Sequence, residues 1–324
     1  MRVCWGRLES AMKRPLTLNP VHGAVAALLL LALIWGYNWV VMKIALRDCG
    51  PFTFAALRSM LGALALFPLL PLKGGSVAPP KALAGIILLG LFQTAGFLGF
   101  TFWALVEGGA GKTAVLVYTM PFWVLILARL FLGERIRGMQ WPAVLLSFAG
   151  LSMIFEPWQG GGGLFPELLA VLAGMFWAVS VILAKQLMKR EKIPLLGLTA
   201  WQMLFGAIPL VFVASILPEG PVNWSSSFIA ALLYNVIPGN ALAWLLWLYI
   251  LEKLPAGVAG MGSLIIPVVG VLSAWLQLGE RPGPLEAAGM LSIVVALLIL
   301  SIYAFRAGKP YHLKGKMDSG LFLH

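Results

Sequence analysis

The chain has 324 residues, 60% of them apolar and only 11% charged, with a formal net charge of +11 and a mean hydropathy of +0.93. So little charge and so much apolar surface exclude a water-soluble globular protein, in which roughly a quarter of the residues are charged. The basic residues are dispersed along the chain instead of massed on one amphipathic face, which excludes a nucleic-acid partner and leaves the charge as a topology signal.

A helix crosses about 30 Å of hydrocarbon with roughly 20 apolar residues. Taken in chain order, such runs are read at 24–45, 52–71, 82–105, 110–132, 139–156, 166–189, 195–217, 228–250, 257–278 and 285–305. A basic tail, 1–22, precedes the first run. That run is too long for the apolar region of a signal peptide and lacks a small-residue cleavage site, so it stays as span one; Met12, before Lys13 and Arg14, is an alternative start. The connections are too short to hold a soluble domain, so recognition has to occur among the helices. Between spans five and six, 157–165 carries a glycine run, Gly160 to Gly163. With no Lys-Ser after it, it reads as a flexible linker, not a phosphate-binding loop. A basic tail, 306–324, ends the chain, and Trp141, Trp158, Trp224 and Trp275 fall near span ends as an interfacial belt.

With the N-terminus inside, sixteen of the 23 Lys and Arg fall in cytoplasmic segments and three, Arg47, Lys112 and Arg281, in outer loops. The other four, Lys43, Arg58, Arg129 and Lys185, lie inside spans. This predicts a multi-pass inner-membrane protein with both termini cytoplasmic. Cys4 and Cys49 then lie on opposite sides, and no disulfide is expected.

One charged word is written twice: "LGERIRG" from Leu132 and "LGERPGP" from Leu278, with Glu134 and Glu280 146 residues apart. At the same offset Pro121 lands on Pro267, Ala110 on Ala256 and Trp103 on Tyr249. "WGYNWVVMK" (Trp35 to Lys43) answers "WAVSVILAK" (Trp177 to Lys185) at offset 142, and Arg58 to Gly62 answers Gln202 to Gly206 at offset 144. Two units of about five spans, 23–156 and 166–305, follow. Five is odd, so the second copy enters from the opposite side. Such inverted repeats put a substrate site near the midplane and exchange conformations in alternating access.

The doubled Pro-to-GER spacing, 13 residues in each half, the Trp-to-Lys pattern of spans one and six, and Arg58 in span two resemble the EamA-type branch of the drug/metabolite transporter superfamily over about 23–305. The resemblance implies an all-α fold of ten transmembrane helices as two inverted five-helix repeats, with spans five and ten peripheral, and export of amino acids or other small metabolites. It leaves the substrate open, since the superfamily also holds nucleotide-sugar and sugar-phosphate carriers.

Candidate residues are those near span centres. Trp35 and Asn38 share one helix face, and Trp177 and Ser180 repeat it. Gln93 and Thr94 align with Gly239 and Asn240, Tyr118 precedes Pro121 by one turn, and Asn235 and Trp244 flank Pro238. Singly, each polar residue reads as interhelical glue worth about 0.6 kcal/mol. Together, at matching depth, they read as an aromatic-walled cavity with a few amides to orient a ligand. Arg58 lies about 9 Å inside its span at a rise of about 1.5 Å per residue; it either holds a substrate carboxylate or reaches lipid phosphates and backbone carbonyls. Pro121, Pro238 and Pro267 are hinge candidates, because proline removes a helix hydrogen bond and frees carbonyls. Glu134 and Glu280 are either gate latches or carboxylates that stabilise their loops, and Lys43 and Lys185 are expected to snorkel from helix ends.

No Asp or Glu lies near a span centre, which argues against a proton-coupled cation exporter and for gradient-driven movement of an apolar or zwitterionic solute. Neither a nucleophile–base set nor a His-rich metal set is present, so neither an enzyme nor a cofactor is expected. The expected partners are a small-molecule substrate and the lipid bilayer, with no nucleic acid; a monomer suffices, and the oligomeric state is open. The sequence reading is an exporter or facilitator of small amphipathic metabolites, aromatic or neutral amino acids first. A proton-coupled multidrug exporter comes second and a sugar-phosphate or nucleotide-sugar carrier third.

Overall fold

The computed structural model describes residues 20–71, 80–108, 113, 116–136, 138, 140–155, 164–191, 193–278 and 283–306, and all regular structure among them is helical. In chain order the helices are α1 (Pro20–Ala45), α2 (Pro51–Leu66), α3 (Pro80–Gly90), α4 (Phe97–Gly108), α5 (Met120–Phe131), α6 (Gln140–Phe155) and α7 (Leu164–Arg190). They continue with α8 (Leu195–Ile216), α9 (Ser226–Val236), α10 (Ala243–Lys253), α11 (Ala256–Gly262), α12 (Ile265–Leu278) and α13 (Pro284–Arg306). Two π-helical segments, Leu91–Gly96 and Ile237–Leu242, join α3 to α4 and α9 to α10 into continuous rods.

Among the described residues, seven helices are long and apolar enough to cross a membrane, and Met120–Phe131, Trp141–Met153 and Ala287–Ala296 are shorter apolar ones. A helix satisfies its own backbone hydrogen bonds, which hydrocarbon demands of any spanning segment. Starts are set locally. Pro51 occupies the first turn of α2, where its missing N–H costs nothing, and Ser225 Oγ accepts from Phe228 N at 3.0 Å to cap α9. The chain is a multi-span membrane protein.

Helices from the two halves of the chain interleave. α2 packs on α8, α6 on α13 and α5 on α11, while α4 and α5 pack on α7, and α10 and α12 on α1. The rod through α3 meets α8 where Gly90 faces Gly206; a Cβ on Gly206 would run into the Gly90 carbonyl, and one on Gly90 into the Gln202 carbonyl. Close helix contact in a membrane needs such residues, because the gain comes from packing and not from removing surface from water.

Carboxylates tie the loops at the two ends of the bundle. At the first face, where α1 ends and α2 begins, Asp48 accepts from Asn223 Nδ2 at 2.8 Å and Ser225 Oγ at 2.7 Å. Glu219 accepts there from Phe52 N at 2.8 Å, Thr53 N at 2.7 Å and Thr53 Oγ1 at 2.5 Å. At the second face Glu134 accepts from Ala256 N at 2.9 Å and Gly257 N at 3.1 Å, and Lys185 donates to the Leu254 carbonyl. Lys185 thus departs from the snorkelling expectation: its ammonium caps the end of α10.

The three hinge candidates sit in two kinds of place. Pro121 sits in the first turn of α5, after a break at Tyr118 and Thr119, and Pro267 follows a similar break at Ser263 and Leu264 by three residues. Pro238 lies inside the second π segment. Pro209, inside α8, is a further interior proline.

Candidate functional site

The two π segments begin 146 residues apart, the offset of the repeated charged word. In the second, the N–H of Ala243 reaches back five residues to the Pro238 carbonyl and passes over that of Gly239, its partner in an α-helix. The released Gly239 oxygen accepts from Trp35 Nε1 at 3.1 Å and from Arg58 Nη2 at 3.2 Å. In the first segment, Phe97 N reaches Phe92 O and passes over Gln93 in the same way.

A small cavity, about 40 Å³ in volume, lies beside this knot. Six candidates from the sequence line it: Trp35, Asn38, Arg58, Tyr118, Trp177 and Trp244. The lining residues Met42 on α1 and Thr101 and Phe102 on α4 follow these helices toward the first face, so the cavity extends from the bundle centre in that direction. On its other side the rings of Trp35, Trp177, Trp244 and Trp247 contact one another edge-on or tilted, with centroids 4.9 to 6.2 Å apart. Each such pair contributes about 0.5–1.5 kcal/mol beyond burial, which makes this floor rigid.

Arg58 is 2% exposed. Besides Gly239, its guanidinium touches Met42 Sδ at 3.5 Å and lies 5.6 Å from the centre of the Phe102 ring. Among the described residues no carboxylate pairs with it, and its Nε has no partner. Carbonyl and ring contacts compensate a buried cation only in part. Burial also removes lipid phosphate as its partner.

Four other candidates do not line the cavity. Asn240 Nδ2 donates to the Arg58 carbonyl at 2.9 Å and locks α2 to the second π segment, as Thr94 Oγ1 locks α8 to the first by donating to Gln202 Oε1 at 2.9 Å. Ser180 Oγ returns to the Trp177 carbonyl at 2.7 Å, and Asn235 Nδ2 to the Ala231 carbonyl at 3.0 Å, both within their own helices. Gln93 is fully buried with neither side-chain polar atom partnered. Glu134 anchors the start of α11, and Glu280 lies outside the described residues.

Sequence reasoning missed Thr101, Phe102, Met42 and the fourth floor tryptophan, Trp247. A signal existed for the last: Trp247 is three residues after Trp244, on the same helix face.

A model of the EamA-like transporter family matches the chain twice, over residues 22–156 and 164–302. The chain belongs to this family. It is therefore a membrane transporter. Among curated relatives, it is 29% identical to the uncharacterized transporter YoaV of Bacillus subtilis over 77% of this chain and 86% of that one. It is also 29% identical to a probable amino-acid metabolite efflux pump of Escherichia coli, over 84% and 92%, and 27% identical to the inner membrane transporter YedA of that organism, over 90% and 94%. A solved crystal structure superposes with a TM-score of 0.74 at 20% identity, covering 88% of this chain and 99% of that one, which is a likeness of fold.

Proposed function

We propose that the protein exports, or facilitates the movement of, small amphipathic metabolites by alternating access, with aromatic or neutral amino acids first. The observation that carries this reading is the cavity itself: central, walled by Trp35, Trp177 and Trp244 with Trp247 packed behind them, and bearing the Arg58 cation. Apolar rings take a side chain, and Arg58 takes a carboxylate. The relative named as a probable amino-acid metabolite efflux pump supports the substrate class.

The architecture proposed with it is ten spans in two inverted five-span units, with both termini on the cytoplasmic side of the inner membrane. The packing supports it, because exchanging the halves maps α4 on α7 onto α10 on α1 and α5 on α7 onto α12 on α1, and maps the α2–α8 and α6–α13 pairs onto themselves. The matched π segments and the matched Asn240–Arg58 and Thr94–Gln202 bonds support it further. Only one half has its released carbonyl taken by a tryptophan, since Trp35 is bonded to Gly239 while Trp177 Nε1 has no partner. In the proposed exchange, Trp177 and the Gln93 turn take up in the opposite state the bond that Trp35 and Gly239 hold in this one.

A proton-coupled cation exporter is the second reading, and among the described residues no carboxylate lines the cavity to favour it. A sugar-phosphate carrier needs two or more cations at the phosphate, and among the described residues the lining holds Arg58 alone. The test is uptake of labelled neutral amino acids by liposomes holding the purified protein, with and without an imposed pH gradient. Movement without a gradient supports the facilitator, strict dependence on a gradient supports the coupled exporter, and no movement of any amino acid refutes the proposal.

A further inference from the structure

The polar atoms around the cavity are unevenly matched. Four of those on its lining side chains are buried without a partner: three donors, Arg58 Nε, Trp177 Nε1 and Trp244 Nε1, and one acceptor, Asn38 Oδ1. Thr101 Oγ1 donates its one hydrogen to the Phe97 carbonyl at 2.6 Å, which leaves it an acceptor toward a ligand. Among the described residues of the lining, the one formal charge is the Arg58 guanidinium. Such a wall, rich in donors and cationic, complements an anion. A carboxylate offers about four lone-pair sites and accepts from several donors at once, whereas an ammonium has three N–H groups to place and meets few side-chain acceptors, Asn38 Oδ1 and Thr101 Oγ1 among them. Next to an unpaired guanidinium, an ammonium is also repelled, in surroundings that screen it poorly.

We infer that the carboxylate is the group the cavity reads and that the α-amino group is dispensable, so that the substrate class extends to aromatic and apolar monocarboxylates and excludes amines lacking a carboxylate. The inference rests on the reading above in one respect, that the solute occupies this cavity. Arg58 is the specificity-determining residue. Asn38 sets the sign of its surroundings: a carboxylate there would supply the counter-ion that the wall lacks and turn the site toward amines.

The experiment uses the purified full-length protein in liposomes and a matched trio: phenylalanine, 3-phenylpropionate with the carboxylate only, and 2-phenylethylamine with the amine only. Affinity is read from tryptophan fluorescence and from competition with labelled phenylalanine in counterflow. We expect 3-phenylpropionate to bind within about tenfold of phenylalanine and 2-phenylethylamine to bind neither measurably nor competitively. Arg58→Gln should weaken binding of the acid about 10- to 100-fold, the loss of one charge-assisted contact set. Asn38→Asp, which keeps the arginine and the side-chain size, should weaken the acid and admit the amine. Binding of the amine as tightly as the acid overturns the inference, as does binding of phenylalanine without the acid, or an acid affinity unchanged in both variants. If the acid binds as expected but phenylalanine is never transported, the inference stands and the amino-acid reading falls.

Discussion

Glu134 holds the N-terminus of α11 through Ala256, whose backbone N–H donates to its Oε1 at 2.9 Å, while Gly257 donates to Oε2 at 3.1 Å. A loop of the first half is thereby fastened to a helix of the second. A carboxylate at a helix N-terminus satisfies orphaned donors and meets the positive end of the helix dipole. Glu134→Ala removes both bonds and should cost about 1–3 kcal/mol; Glu134→Gln, which keeps one acceptor, should fall between. Thermal unfolding in detergent micelles measures this, and equal stability of all three forms would count against the latch.

Gly206→Ala places a methyl group against the Gly90 carbonyl and close to Thr94. Backbone cannot yield as a flexible side chain can, so α8 must move away from the α3 rod at a cost of about 1–3 kcal/mol. Gly220→Ala is the control, since a Cβ there meets nothing within 4 Å. The expected result is a lowered melting temperature for the first variant and none for the second.

Trp177 is 1% exposed and touches the other three floor tryptophans. Trp177→Ala should open a void costing about 3–5 kcal/mol and reduce transport, whereas Trp177→Phe keeps most of the ring packing. Trp35→Phe keeps the floor but deletes the donor to Gly239 and should slow transport about 3- to 10-fold for a bond worth roughly 1 kcal/mol. Initial uptake rates at matched protein levels decide both; unchanged rates in Trp35→Phe remove the Trp35–Gly239 bond from the mechanism.

Cys49 lies between α1 and α2, and its thiol is pushed up to about 12 by burial first and then by the carboxylates of Glu219 and Asp48. The thiolate is the reactive form. In a Cys4→Ser background, maleimide labelling should therefore keep rising about tenfold per pH unit well beyond pH 9, where an ordinary thiol levels off. The sign for stability follows from the same shift. The folded state holds its proton longer than the unfolded state, so this contribution is intact below pH about 9 and is lost as pH rises toward 12. Glu219→Gln, which removes one of the raising charges, should speed labelling at a given pH; a plateau near pH 9 in the parent protein would refute the shift.

Much of the candidate site was legible because it was written as depth and periodicity. Trp35 with Asn38, Tyr118, Trp177, Trp244 and Arg58 stand near span centres, and helix spacing alone puts the first pair on one face; all six meet at the cavity. Other parts were not legible. Asn235 and Ser180 have the same residue types at similar depth, yet their side chains turn back to carbonyls three or four residues away in their own helices. The choice between a local carbonyl and a distant cavity depends on helix rotation, which no short stretch of sequence encodes. Glu219 was overlooked for a related reason: its partners are Phe52 and Thr53, more than 160 residues away.

From sequence alone came the class of the protein. Long apolar runs, few charges and a doubled set of short motifs are local and additive signals, and they suffice to specify a helical membrane transporter of a two-unit family. What only the tertiary structure decided is which carbonyl each π turn releases and which side chains claim it. Trp35 and Arg58 converge on Gly239 from 204 and 181 residues away. Such convergence depends on the rotation and spacing of three packed helices at once, a property of the whole bundle that no single span contains.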